Sequence, residues 1–586
     1  MKVFYKKNSN ENLFKELEKI VEIKNNQNFI PIYNIFFNLN SSNYNSINLD
    51  SISNILNLDK KINYSKFLGK INKNNEIIEN KKIFFKFSPI IDPCKYVIGK
   101  FDESYNILDL PNFNNILELS NNKIMNPYNS SYCDSFFSFL SSKLLNEYNF
   151  YNGIDFYGSF IGIKENFTFD ISEELDSLDE SDFFMNKLNS EFKILNNEIH
   201  NKLINETKKN KIKIKINNNI ELDIHEVSID ETDKDKYIES MDQNVHNNKS
   251  DSSMLEISHE FIFKDFSDNE TSFNKKCSQD SKSSSLSHMS SNNSSCSSRF
   301  SMTDDEDDNE EDYDDEDDDD EESESSDEDI GNGEDEIMCS IKEFPVQSII
   351  LECCDETLDD YMRNNNLKDD ELESIVLQIL FTLITYQKCF SFTHNDLHTN
   401  NIVYTKTEKQ YLYYKFNNKH YKIPTFKKIY KIIDFGRAIY KFNKHLFFND
   451  SYSKDGDAYS QYNCEPYMND NKSRVEPNYS FDLARLGCSI FDNFIDDLDD
   501  IPKMKSKIKN IIISWVFDDN NKNILYKNDG SERYPDFKLY KMIARTVHNH
   551  TPQKVLSNKL FDKYTINRKK INKNASIFNI DELENM

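Results

Sequence analysis

Between Leu367 and Phe390 apolar residues stand at Leu372, Ile375, Val376, Ile379, Leu380, Leu383 and Ile384, a spacing close to 3.6 that predicts a long amphipathic helix. Tyr132 to Glu147 repeats the pattern, with Phe136, Phe139, Leu140, Lys143 and Leu144 on one side, and Phe481 to Phe494 and Leu539 to Val547 also read as helices. Strand signals lie at Lys82–Phe87, which a turn at Ser88–Pro93 follows, at residues 154–163, and at Phe344–Glu352. Lys211 to Val227 alternates like a further strand, and residues 404–430 read as a hairpin. The pattern predicts an α+β chain, with a small strand-rich half followed by a larger helical one.

From Ser228 to Glu336 the pattern stops. The segment is first polar, then Ser-rich from Ser281 to Ser301, then a run of Asp and Glu. Such a stretch cannot bury enough apolar surface to offset its ordering entropy, so it is expected to be a disordered insert within a folded unit. The insert also changes the meaning of the charge. The chain carries a formal −30, but residues 228–336 hold 37 acidic side chains against 8 basic ones, and the other 477 residues sum to −1. The folded body is nearly neutral. The insert is expected to be a spacer or a docking site for basic proteins, and not to bind nucleic acid.

A chain of 586 residues exceeds one ordinary core, and 13% aromatic content supplies material for two lobes. No 18 apolar residues run together and the amino terminus has no apolar signal region, so a soluble, intracellular protein with no membrane partner is expected. The ten Cys are scattered without any CxxC, as for reduced thiols.

Two short strings carry chemistry. His394-Asn395-Asp396-Leu397-His398-Thr399-Asn400-Asn401 follows the long helix and fits HxDxxxxN, and Asp434-Phe435-Gly436 ends an apolar strand. Transfer of a γ-phosphoryl group needs oxygen ligands for Mg²⁺ and a carboxylate to take the acceptor proton. Asp434 and Asn401 can supply the metal oxygens, and Asp396 the base.

With both strings in this order, the chain resembles the eukaryotic-like protein kinase superfamily. The resemblance implies a bilobal fold that binds ATP and Mg²⁺. It places Lys86 on the α- and β-phosphates, and a partner carboxylate on the following helix, Asp134 in preference to Glu147. Phe67-Leu68-Gly69-Lys70-Ile71 is similar in place to the glycine-rich loop, with one glycine instead of three. Leu351-Glu352-Cys353-Cys354 looks like the hinge whose backbone reads adenine, so Glu352 and Cys354 become candidate nucleotide contacts. Asp482 resembles the helix aspartate that anchors the catalytic loop, and Arg533 would pair with Glu465 or Glu476. The strings at 84–100, 131–160 and 532–552 look more narrowly like the divergent kinases of nucleocytoplasmic large DNA viruses. On this reading residues 1–60 are an extension and 61–227 an N-lobe, interrupted by the insert at 228–336. Residues 337–353 form the last strand and hinge, 354–570 a C-lobe and 571–586 a tail.

Two departures shape the expectation. Asn395 stands where most kinases carry an Arg that meets a phosphorylated loop, which predicts activity without loop phosphorylation. His398 stands where a Lys usually contacts the γ-phosphate, and Asp396-Leu397-His398 is also similar to aminoglycoside and choline kinases. The expected function is transfer from ATP to Ser or Thr of protein substrates. Alternatives are a pseudokinase that binds basic partners through the insert, and a small-molecule phosphotransferase.

Overall fold

The computed structural model describes residues 1–101, 106–113, 123–175, 178, 181–195 and 337–586. The whole insert at 228–336, and the strand expected over 211–227 ahead of it, lie outside them.

The first half is built on a seven-stranded sheet. In spatial order it runs Ile23–Gln27, Phe156–Asp170, Met338–Glu352, Glu76–Pro89, Lys66–Lys73 and Ser53–Lys61, with Phe192–Ile194 also paired to Met338–Glu352. The neighbours pair antiparallel. Met338–Glu352 is flanked on both sides and buries Val346, Ile349, Ile350 and Leu351, which is why it reads as an unbroken apolar run. It begins six residues before the apolar run because Cys339–Ile341 pair with Phe192–Ile194. The chain thus leaves the sheet at Ile194 and returns beside it at Cys339, so the residues between are inserted into one sheet.

The helix Ser130–Tyr148 packs on this sheet, with Phe139 edge-on to Phe156 at 5.9 Å. Asn129 caps its start by accepting from the Ser131 N–H, and Asn149 ends it at φ 60°.

The second half holds the long helix Asp369–Phe390. Every apolar residue of its predicted stripe is buried, and so are Glu373, Gln378, Thr382, Thr385 and Gln387 on its other faces. Thr382 and Thr385 donate to carbonyls one turn back, whereas Gln378 accepts from the Tyr430 N–H and Glu373 from the Tyr564 hydroxyl, both distant in the chain. This half is less helical than the pattern predicts. Glu356–Thr357, Ile402–Lys406 and Lys428–Ile432 form a three-stranded sheet, and the hairpin Tyr411–Phe416/Lys419–Pro424 joins Thr565–Ile566 and Phe578–Asn579 in a four-stranded one. Among the described residues no helix is long and apolar enough to cross a membrane.

Candidate active site

The two motif strings meet through backbone pairing. Ile402–Lys406 pairs with Lys428–Ile432, and just beyond that ladder the Ile433 N–H donates to the Asn401 carbonyl at 3.0 Å. His394 closes the gap from the other side. Its Nδ1 accepts from the Asp396 N–H at 3.3 Å, so Nε2 carries the proton and donates to the Ile433 carbonyl at 2.9 Å. Asp482, fully buried at the start of Phe481–Phe491, anchors the loop from below. Its carboxylate accepts from the His394 and Asn395 N–H groups at 2.9–3.0 Å. Burial raises its pKa, against the pull of His394 and the two N–H donors.

Lys86, on the strand Glu76–Pro89, reaches Asp134 Oδ2 and Asp434 Oδ1, each at 2.7 Å. Of the two helix acids, Asp134 is therefore the one beside Lys86, while Glu147 lies one turn beyond Lys143 and pairs with it. Asp134 Oδ1 also accepts the Phe435 N–H at 3.0 Å, so one short side chain ties the helix both to Lys86 and to the segment carrying Asp434. Burial opposes the charge of Lys86, but the two carboxylates outweigh it and raise its pKa. Burial, with Asp434 nearby, raises that of Asp134. Phe435 is fully buried against Phe137 of the helix, at 4.6 Å, and Phe392. Asp434 itself sits at φ 62°, the left-handed conformation that turns its carboxylate back toward Lys86.

Asp396 lies under three groups that the motifs do not reveal. Tyr540, from the helix Phe537–Thr546, donates to Oδ1 at 2.7 Å and accepts from Arg485 Nε at 2.9 Å. The guanidinium groups of Arg437 and Arg485 each approach Asp396 to 3.9 Å. Burial works against the charge, yet Arg437, His398, Arg485 and the Tyr540 hydroxyl together hold its pKa at about 2. Arg485 has a signal in the sequence, since it stands three residues after Asp482 on one helix face, and Arg437 directly follows Gly436. Tyr540 has none.

Asn401 Nδ2 donates to the Asp396 carbonyl at 2.9 Å and faces His398 Nε2 at 3.0 Å. Burial lowers the His398 pKa to about 4, so the ring is neutral near pH 7 and accepts. It brings no positive charge to the site.

One expectation needs correction, and two others gain detail. Gly69 lies within the strand Lys66–Lys73, paired on both sides, and not in a phosphate-covering loop. A Cβ there would come within 2.4 Å of the Asn57 carbonyl, so its role is close strand approach. The preceding turn is made by Asn63, whose Oδ1 accepts the Ser65 and Lys66 N–H groups. At the hinge, the Glu352 side chain accepts from Lys431 and from the Asp155 N–H, and the Glu352 N–H donates to the Asp155 carbonyl. Glu352 is therefore a brace, while Cys354 follows the strand end with its thiol buried and its pKa pushed up by that burial. Finally, Glu476 pairs with Arg474, and Arg533 donates to the Asn523 carbonyl. Arg474 is two residues from Glu476 and reaches it without any tertiary rearrangement.

No family model matches this chain. Among curated proteins, 88 residues are 35% identical to a probable serine/threonine-protein kinase of Dictyostelium discoideum, over 14% of this chain and 7% of that protein's length. The likeness is to a kinase, over a short stretch, and the chain matches only a small fraction of its relative.

Proposed function

We propose that this chain is an ATP-dependent protein kinase with a bilobal fold, the seven-stranded sheet and the helix Ser130–Tyr148 forming the N-lobe and residues 354–570 the C-lobe. The observation that carries the reading is Lys86 held between Asp134 and Asp434, with Asp396 and Asn401 on the adjoining loop. This donor set suits a nucleotide triphosphate and its metal: one buried cation for phosphate oxygens, one carboxylate and one amide oxygen for Mg²⁺. When bound, Mg²⁺ would neutralise phosphate charge from Asp434 and Asn401. Asp396 orients the acceptor hydroxyl and takes its proton. The backbone at Cys354 reads the base, and Gly69 takes no part in covering the phosphates.

A Ser/Thr acceptor is supported by the Dictyostelium likeness. A viral source rests on the string likeness alone. A second reading, phosphate transfer to a small molecule, draws on His398, whose neutral ring leaves the acceptor side without the usual cation. Basic protein partners of residues 228–336 remain a proposal from charge alone.

The test is transfer of label from ATP with Mg²⁺ to a generic basic protein, wild type against Asp434→Ala. Label on the protein that the variant abolishes supports the kinase reading, and label on a metabolite favours the second. ATP left unconsumed by the wild type overturns both.

A further inference from the structure

Residues 1–52 lie ahead of all the motif positions, yet they reach the site. The strand Ile23–Gln27 pairs with Phe156–Asp170 at the edge of the large sheet. Beyond it the chain is fixed by Asn28, which donates to the Asn45 and Ser9 carbonyls, and by buried Phe29, Ile30, Ile32 and Tyr33. The short helix Pro31–Ile35 then delivers Phe36 into a slot between two elements that hold the site together. On one side its ring stacks on Phe136 at 4.6 Å and 21°. On the other it stacks on Phe447 at 6.0 Å and 21°, with Phe442 at 6.0 Å and His445 edge-on at 6.1 Å.

Both sides of the slot connect directly to the chemistry. Phe136 is two residues from Asp134, the partner of Lys86 and of the Phe435 N–H. Phe442 and Phe447 lie on the hairpin Tyr440–Phe442/His445–Phe447, which begins four residues after Gly436. Phe136 also touches Phe442 and Phe447 directly, at 5.8 and 5.6 Å, so the slot is one aromatic cluster with Phe36 as its outer member. An unfilled slot would leave the helix and the hairpin with less apolar surface in contact, and Lys86 with a less fixed pair of carboxylates.

We propose that the amino-terminal segment is a built-in activating element and that Phe36 is a positioning residue: it clamps the helix Ser130–Tyr148 against the hairpin after Asp434, and thereby sets the Lys86–Asp134–Asp434 geometry. The effect on catalysis rests on the kinase reading. The mechanical coupling does not.

The full chain with Phe36→Ala tests it beside Phe36→Leu, which refills the slot. Hydrogen exchange in residues 130–148 and 440–447 is expected to rise about tenfold in the alanine variant, with residues 156–170 unchanged. Transfer to a generic basic protein should fall by about tenfold or more through kcat, with the acceptor KM unchanged. Phe36→Leu should restore both to within about threefold of wild type. Unchanged exchange in the alanine variant overturns the proposal, and so does exchange that rises equally across the whole sheet, since Phe36 would then only stabilise the fold. Local exchange that rises in the alanine variant, when the wild type itself shows no ATP-dependent transfer, upholds the clamp and sinks the kinase reading instead.

Discussion

The Tyr540 hydroxyl donates to Asp396 Oδ1 across 2.7 Å, although the two residues stand 144 positions apart. Arg485 in turn donates to that hydroxyl, so the carboxylate is held by a chain of two bonds reaching up from the helix Phe481–Phe491 that also carries Asp482. One helix thus supports both the backbone of the loop His394–Asn401, through Asp482, and the orientation of the Asp396 carboxylate, through Arg485 and Tyr540.

Removing the Tyr540 donor should weaken the orientation of Asp396 and let its pKa climb from about 2. Tyr540→Phe is expected to move the acid limb of the kcat/KM profile to higher pH and to slow transfer by about tenfold or less. Asp396→Asn should slow it by more than about a hundredfold. A pH–rate series on the three proteins checks both. An unshifted acid limb in Tyr540→Phe would mean that the hydroxyl does not act on the base.

Lys86 neutralises two carboxylates, one of which, Asp134, is 1% exposed. Lys86→Met should therefore abolish transfer and also destabilise the fold by about 3–5 kcal/mol at pH 7, because Asp134 is left as a buried charge. Burial already raises the Asp134 pKa, so in this variant the folded state binds a proton more readily than the unfolded chain, and stability recovers as pH falls through that raised value. Adding Asp134→Asn should recover most of the loss at pH 7. Urea unfolding of the single and double variants measures it.

The parts of this site that could be read from the chain are those set by local spacing. HxDxxxxN and Asp434-Phe435-Gly436 are contiguous strings, and Asp134 was one of only two acids on a helix whose periodicity is plain. The turns were hidden by composition. With 11 Gly in 586 residues, Asn takes the left-handed positions, at Asn74–Asn75, Asn149, Asn395 and Asn417–Asn418. Gly69, the one glycine near the expected phosphate loop, is therefore a strand residue, and the turn before it belongs to Asn63. Tyr540 and Phe36 were illegible for another reason: each acts through a contact over long sequence separation, and a single chain carries no periodic trace of such pairs.

His398 links the site to stability in a defined pH window. Its folded pKa is lowered to about 4, from an ordinary value near 6.5, because burial disfavours the charged ring. Between those values the unfolded chain binds a proton that the folded state does not, so stability falls as pH drops from about 6.5 to 4. The full effect is roughly 3 kcal/mol. His398→Gln keeps an acceptor for Asn401 and cannot titrate, so its urea midpoint should change less than that of wild type over this window. Parallel slopes would contradict the assignment.

On the proposed kinase reading, Asn395 stands where an Arg would meet a phosphorylated loop, and nearby Arg437 pairs with a carboxylate instead. Arg437 donates to Asp457 Oδ2 from Nε at 3.2 Å and from Nη2 at 3.0 Å. Asp450 accepts the Ser130 N–H at the start of the helix Ser130–Tyr148, Tyr452 donates to the Arg437 carbonyl, and Tyr462 donates to Asn395 Oδ1. The segment after Asp434 is thus bound to the helix, the loop and itself by groups present before any modification. These tyrosines are structural, so replacing every hydroxyl residue in the segment would unfold it and test nothing about phosphorylation. The informative variant replaces Ser453, Ser460 and Ser473 by Ala, and it should transfer phosphate at the wild-type rate. Asp457→Asn weakens a charge-assisted pair beside Asp396, and should slow transfer by about tenfold. A serine variant without activity and an Asp457 variant with full activity would together show that a phosphate, and not this carboxylate, orders the segment.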